Sequence, residues 1–481
     1  MRKWLLCCAL VITATGCAMV GPDYRRPAVE VPDTWRVEEK EALDLANTAW
    51  WEQFNDPVLN GLVRTALAEN KDLMIATARV EEFFGRYFST RGDQFPFADV
   101  GASASRERVT EAGPTPIPSG VDSTFDYYEA FLSARWEIDF WGKYRRASEA
   151  ARAELFGTEE ARRTVVLTLV SAVAGTYVEI RALDRQLEIT RRTVETRKET
   201  LDLFNLRLDR GIIPEIDVSQ AEAEYEDALA RVPEIELAIA RAENALSVLT
   251  GRNPGPIPRG LSIDALIPPA VPAGLPSDLL ARRPDIRAAE QALIAANARI
   301  GVAKSLYFPT ISLTGALGTA STDLSDLFTG ESKIWSAGVP LTVPIFTAGR
   351  IGGEVRGAEA AQKQALYGYL QTVQNAFREV DDALVDRAKS EQKLQSLDRQ
   401  TRALENYGRL ARMRYDEGVT SYLEVLDAER SLFNVELSKI AGQNAVFRAL
   451  INIYKSMGGG WVEAAEAGVT SQPVKEAGFI P

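Results

Sequence analysis

The sequence predicts an α+β membrane protein made of two copies of one unit, each a pair of amphipathic strands set between long helices. Three observations carry that class: an internal repeat, a hydrophobic period that switches from about 3.5 to 2 and back, and an apolar leader ending in cysteine. Residues Arg207, Asp209, Gly211, Asp217, Val218, Ala221 and Glu222 recur 207 positions later as Arg414, Asp416, Gly418, Glu424, Val425, Ala428 and Glu429. The same offset carries Gly142-Lys143 to Gly349-Arg350 and Gly251 to Gly458. Upstream the offset is 213, from Asp72 to Asp285, Ala76 to Ala289 and Phe95-Pro96 to Phe308-Pro309. The copies therefore differ in one loop, and duplication decides the architecture before any residue is given a role.

The leader reads as a signal peptide over residues 1–16: Arg2-Lys3, an apolar stretch from Trp4 to Ile12, then small residues up to Gly16-Cys17. Ala14-Thr15-Gly16 before Cys17 has the form of a bacterial lipobox. It predicts diacylglycerol and an N-acyl chain on Cys17, and several chains anchor a protein stably where one does not. Ala18 is not Asp, which favours sorting to the outer membrane. Residues 17–60 are expected to be a lipid-anchored, extended segment punctuated by Pro22, Pro27 and Pro32, with Trp50-Trp51 and Phe54 starting the folded body.

Repeat 1 is expected over 61–251. Its first helix starts near Asp72, a good N-cap type, with apolar positions Leu73, Ala76, Val80, Phe83 and Tyr87; the second copy repeats them as Ile286, Ala289, Leu293, Ala296 and Ile300. After each Phe-Pro the period becomes 2. Tyr128, Ala130, Leu132, Ala134, Trp136, Ile138 and Phe140 alternate with polar residues, as do Trp335, Ala337, Val339, Leu341, Val343 and Ile345. Partner strands precede them near Phe97–Arg106 and Thr310–Thr319. One apolar face over about 10 residues suits an outer-membrane strand, although a half-buried soluble sheet alternates in the same way. On the membrane reading, Trp136, Ile138, Trp335, Val339, Leu341 and Val343 face lipid. Pro340 and Pro344 each remove a ladder donor and mark an edge or a bend.

From Lys143 to about Leu208 there is no proline, and Val166, Val173, Ile180, Leu187, Val194, Leu201 and Leu208 stand seven apart. Such a helix is ~100 Å long. It reverses at Gly211, and a return helix runs from about Pro214 to Leu249. A Pro-rich linker follows at 252–283, then repeat 2 in the same order at 284–458, then a tail at 459–481.

Composition narrows the function. There is no histidine, and the three cysteines all lie within the first 17 residues, so the commonest general base and thiolate metal sites are missing from the body of the chain. No nucleophile–base pairing, phosphate loop or metal-ligand spacing is found, and an enzyme is not expected. The formal charge of −12, or −14 without Arg2 and Lys3, disfavours nucleic acid as a partner. No apolar run of about 18 residues is expected in the mature chain, so a membrane span has to be made of strands. Four strands cannot close a barrel, whereas three chains supply a 12-stranded one. The predicted assembly is a trimeric 12-stranded outer-membrane β-barrel continuous with a long periplasmic α-helical barrel.

Two sets of strings carry a family likeness. One is Cys17, Gly21-Pro22-Asp23-Tyr24 and Pro27, followed by Trp50-Trp51-Glu52-Gln53-Phe54-Asn55-Asp56-Pro57; the other runs from Leu279 through Arg282-Arg283-Pro284-Asp285 to Glu290, and from Ala296-Asn297 to Gly301. In these the chain resembles the outer membrane efflux proteins, TolC-like channels, and within them the lipoprotein branch typified by NodT and OprM. The resemblance implies a homotrimeric exit duct in the outer membrane that meets a periplasmic adaptor and an inner-membrane pump of the resistance–nodulation–division type. It would pass drugs or other small toxic solutes; an exit for type I protein secretion or for metal efflux is the alternative. The resemblance also places a periplasmic gate at Leu423 and Asp427, with Ile216 and Gln220 as their equivalents in repeat 1. Adaptor-docking tips fall at Gly211, Ile212 and Ile213 and at Gly418, Val419, Thr420 and Ser421. Asp217 or Glu424 could share the acidic role. A coiled-coil scaffold without a pore accounts for the helices but not for the four strands.

Overall fold

The computed structural model describes residues 19–32, 34–36, 49–110, 112, 120, 122–271, 276–458 and 462. The signal peptide, Cys17 and nearly all of the tail lie outside the described residues. In chain order the elements are α1 (Pro57–Glu69), α2 (Lys71–Gly92), β1 (Phe97–Arg108), β2 (Thr124–Glu137), α3 (Lys143–Asp209) and α4 (Glu215–Leu249). Then come α5 (Pro276–Arg282), α6 (Pro284–Ser305), β3 (Thr310–Ser321), β4 (Lys333–Gly338), β5 (Leu341–Thr342), α7 (Arg350–Asp416) and α8 (Tyr422–Ser456).

The duplication is reproduced in the lengths of the long helices. Helices α3 and α7 both have 67 residues, and α4 and α8 both have 35. Glycines with positive φ recur in pairs where the chain turns: Gly142 and Gly349 (80° and 83°), Gly211 and Gly418 (70° and 69°), Gly251 and Gly458 (74° and 68°). A side chain at these positions would force the left-handed region that glycine enters freely.

Several elements depart from the sequence expectation. The extended N-terminal segment does not reach residue 60, because a 3-10 turn at Trp50–Phe54 and helix α1 come first. The first helix of the repeat is capped by Asn70 rather than Asp72: Asn70 Oδ1 accepts from Leu73 N at 2.9 Å. The Pro-rich linker contains helix α5. Helix α4 holds Pro233 in its interior and continues past it, with Ala228 and Ile239 both buried on either side. Helix α3 does contain an apolar window of 18 residues long enough to cross a membrane, most of it buried. Val166, Val170, Val173 and Tyr177 of α3 are fully buried among the core residues of the chain, which accounts for that stretch.

The chain divides into two compact units. The first takes in Val80–Gly157, Ala289–Tyr369 and the described chain up to Ala28. Its sheet is antiparallel with order β1-β2-β3-β4, and β5 also pairs with β3. The register puts Val100, Leu132, Leu317 and Trp335 in one row across all four strands. On the opposite face the Phe131 ring lies over Gly101, where a Cβ would collide with it, while a Cβ on Gly318 would meet the Ala130 carbonyl and Phe131 Cα. The fourth predicted strand is broken, because Pro340 has no N–H to donate; its carbonyl instead accepts from Ser312 N at 3.1 Å.

The N-terminal strap docks on this unit. Gly21 and Gly301 touch backbone to backbone, so a Cβ on Gly21 would sit 2.4 Å from Gly301 Cα. Buried Arg146 donates to Asp23 Oδ1 at 2.6 Å and to Glu149 Oε2 at 2.8 Å. Asn297 Nδ2 donates to the Pro22 carbonyl at 2.8 Å, and Tyr24 Oη to Glu290 Oε1 at 2.9 Å. The motif strings around Gly21 and Gly301, distant in sequence, are thus two sides of one contact.

The second unit takes in Val29–Arg79, Thr158–Ala288 and the described chain from Leu370. Its core gathers Trp50, Phe54, Leu59, Tyr177, Leu246, Phe447 and Tyr454. At its centre Asp56, 0% exposed, accepts from Val58 N, Leu261 N and the Tyr177 hydroxyl at 2.9, 2.9 and 2.6 Å.

Candidate functional site

The helical hairpin ends of the second unit hold most of the residues that the sequence singles out. Both long helices stop in the same way. After α3, Gly211 N bonds the Leu208 carbonyl and Ile212 N the Arg207 carbonyl; after α7, Gly418 N bonds Tyr415 and Val419 N bonds Arg414. This pairing satisfies carbonyls that a helix end otherwise leaves without donors. The return helices begin at Pro214 and Ser421 in equivalent extended conformations, neither giving a side-chain cap. Glu215 and Asp217 in the first turn of α4, and Glu424 in that of α8, complement the positive end of the helix dipole.

The two hairpins pack on each other through Phe204, Val218, Ala221, Tyr422, Val425 and Leu426. Phe204 and Tyr415 both meet the Tyr422 ring edge-on, at 4.5 and 5.1 Å. Burial, with Glu429 adding, pushes the Tyr422 phenol up to about 12. Burial likewise raises Glu429 above the usual carboxyl range, against the pull of Arg412 and Arg197. Arg207 Nη1 reaches the Tyr415 hydroxyl at 3.1 Å, linking the end of α3 to that of α7.

The opposite faces are bare. Ile212 and Val419 are 65% and 66% exposed, and Ile216 and Leu423 are 62% and 58% exposed. These are the same two positions in each repeat, so each hairpin end presents a matched pair of uncovered apolar side chains. Ile213 packs against the buried cluster, Thr420 is half-buried and Ser421 is exposed. Leu423 and Asp427 lie four apart on one face of α8, as Ile216 and Gln220 do on α4.

Sequence reasoning missed Arg430. It donates to Asp427 Oδ1 at 3.0 Å and lies 3.9 Å from Glu224, while repeat 1 has Ala223 at the equivalent place. The spacing of three between Asp427 and Arg430 was a visible signal. Of the two other acids considered, Glu424 pairs with Arg414 at 3.3 Å inside its own hairpin.

The proposed lipid face divides. Trp335 lies in β4 and is 79% exposed, and Leu341 lies in β5 and is exposed. Val339 and Val343 are also exposed but lie outside the strands, on either side of β5. Trp136 is half-buried, its Nε1 donating to the Gln94 carbonyl at 3.0 Å. Ile138 follows the last residue of β2 and continues the ladder with one bond, Ile138 N to the Ile311 carbonyl at 2.8 Å.

Comparison with known proteins gives a consistent picture. The sequence profile described as outer membrane efflux protein matches twice, over residues 62–252 and 275–459. The chain is similar to the probable efflux pump outer membrane protein TtgC of Pseudomonas putida, 35% identical over 474 residues that span 96% of this chain and 97% of that protein. It is equally similar to the cation efflux system protein CusC of Escherichia coli, 35% identical over 461 residues, 95% of this chain and 98% of that one. The structure of the CmeC outer membrane channel of Campylobacter jejuni superposes with a TM-score of 0.87 at 25% identity, covering 94% of this chain and 98% of the other.

Proposed function

The chain belongs to the outer membrane efflux protein family, and from that premise we propose that three copies form the exit duct of a tripartite efflux system. As an outer-membrane efflux channel it is a conduit rather than a catalyst. The observation that carries the trimer is the open sheet. Among the described residues its outer strands β1 and β4 each pair with one other strand, and the row Val100, Leu132, Leu317 and Trp335 is apolar across all four. Lipid does not tolerate unpaired ladder edges, so neighbouring copies have to supply the missing partners. Three chains close a 12-stranded barrel, and their long helices continue it as an α-helical barrel in the periplasm. Acyl chains on Cys17 hold the strap at the membrane. Trp335, Val339, Leu341 and Val343 face lipid in this assembly, and Trp136 and Ile138 lie at the end of the barrel where the helices start.

The bare hairpin ends meet a periplasmic adaptor through Ile212, Val419 and the turn residues around them, and the adaptor couples the duct to a resistance–nodulation–division pump. Leu423 and Asp427, with Ile216 and Gln220, ring the closed end of the duct. The cargo is a drug, solvent or similar small toxic solute. Cation efflux is the second reading, favoured by the equal similarity to a cation efflux protein. Cells lacking this chain are expected to accumulate severalfold more of a lipophilic fluorescent dye, restored by complementation. Unchanged dye accumulation with increased sensitivity to a metal cation, read across a panel of metal salts, supports the second reading, and no change in either contradicts the efflux role.

A further inference from the structure

The sheet sorts its charges by face. Directly opposed residues share a face, so the register assigns every strand residue to one side or the other. Among the described strand residues the apolar face carries Arg106, Arg108 and Lys333 with one acid, Asp126, which sits 3.7 Å from Arg106. The other face carries Asp99, Glu107, Glu129 and Glu137 against Arg135. One side of the strands is therefore net basic and the other net acidic.

The basic residues are also sorted along the strand. The apolar rows start at Ile311 with Leu341 and run through Leu313, Leu317 with Trp335, and Thr319 with Ala130, to Ser321 with Tyr128. The ten steps from Ile311 to Ser321, at ~3.3 Å each, span about 33 Å of strand, and the tilt usual in such barrels reduces this to an apolar band about 25 Å tall. Arg106 stands one row beyond the band, past Ala104 and Tyr128, and Arg108 one row further. Lys333 lies at the last rows of the band, where a long side chain extends to place its ammonium at the boundary. All three are exposed and at the end of the sheet away from Gly142 and Gly349, where the long helices begin.

We propose that this outer end of the apolar face binds phosphate groups of outer-leaflet lipid headgroups through Arg106, Arg108 and Lys333. The proposal rests on the reading of this sheet as a membrane barrel. Guanidinium groups pair with phosphate oxygens through two parallel hydrogen bonds, and the Lys333 ammonium, on the opposite outer strand β4, supplies a separate point charge. The acidic opposite face, turned to the lumen, repels the same ligand, so charge selects the lipid side. Headgroup binding would fix the height of the barrel in the membrane from the side opposite the Cys17 anchor.

The test uses the full-length protein in neutral phosphatidylcholine nanodiscs doped with diphosphoryl lipid A, its dephosphorylated form, or given inorganic phosphate in solution. Native mass spectrometry is expected to show retention of diphosphoryl lipid A alone. The combined substitution of Arg106, Arg108 and Lys333 to Ala should weaken retention on the order of a hundredfold, and replacing both arginines with Lys should restore most of it. Single-channel conductance of each variant reports whether the barrel has formed. Conducting channels whose retention is unchanged by the Ala substitutions, or equal retention of the dephosphorylated lipid, overturn the headgroup site. Binding of inorganic phosphate alone also overturns it. A wild-type protein that forms no channel overturns the membrane reading itself.

Discussion

Asp427→Asn is expected to lower the preference of the closed channel for cations by roughly fivefold. The figure corresponds to about 1 kcal/mol, the interaction of two unit charges about 4 Å apart in water. In the proposed trimer the substitution removes one carboxylate per chain from a single level of the duct. It also leaves Arg430, now 3.0 Å from Asp427 Oδ1, without that partner, so the local charge turns positive. Arg430→Ala should move selectivity the other way, because Asp427 then stands alone against Glu224 and the solvent. Reversal potentials in planar bilayers under a salt gradient read both effects. Equal cation preference in wild type and Asp427→Asn removes Asp427 from the gate. Gln220 stands at the equivalent place in repeat 1, so the proposed gate has two unlike halves, and Gln220→Glu should raise cation preference.

Asp56→Ala is expected to destabilise the folded chain by about 3–5 kcal/mol. A buried donor left without its acceptor costs roughly 1–3 kcal/mol, and this carboxylate serves several. Its Oδ1 caps α1 through Val58 N, and its Oδ2 takes both the Tyr177 hydroxyl and Leu261 N. Gly260 N in turn donates to Tyr177 Oη at 3.0 Å, so the loss spreads to a second bond. No side chain can lean in to compensate from Gly260, where a Cβ would lie 2.2 Å from Asp56 Oδ1. Asp56→Asn should be intermediate, since its amide nitrogen meets donors rather than acceptors on the Tyr177 side. The temperature at which the purified protein loses helical circular dichroism measures the effect. An Asp56→Ala protein melting with wild type contradicts it.

The parts of the fold that were legible are those governed by local period. Seven-residue spacing from Val166 to Leu208 is kept over so many turns that only a long helix satisfies it, and α3 ends one residue beyond. Alternation located β2 and β4, with β1 and β3 placed as the partner strands before them, and Pro340 marked where the fourth strand breaks. What could not be read depends on contacts distant in sequence. Gly21 and Gly301 look like ordinary small residues until the strap lies against α6, and Asp56 looks like a simple helix cap until Tyr177 and Leu261 arrive. Asn70 caps the helix in place of Asp72 because it directly precedes Lys71, its Oδ1 accepting from Leu73 N while its Nδ2 donates to the distant Leu249 carbonyl. At the hairpin ends, the matched exposure of Ile216 and Leu423 follows from the repeat, whereas the ion pair of Asp427 with Arg430 exists in one copy only.

Photocrosslinking in living cells from a photoreactive residue at Thr420 tests the central claim most directly. Thr420 sits in the turn between α7 and α8, beside exposed Val419 and Ser421. The account predicts a crosslink to a periplasmic adaptor of a proton-driven efflux pump, lost when that adaptor is deleted. Capture of no periplasmic protein, from a chain that reaches the outer membrane, would contradict the docking of these hairpin ends and with it the proposed exit duct.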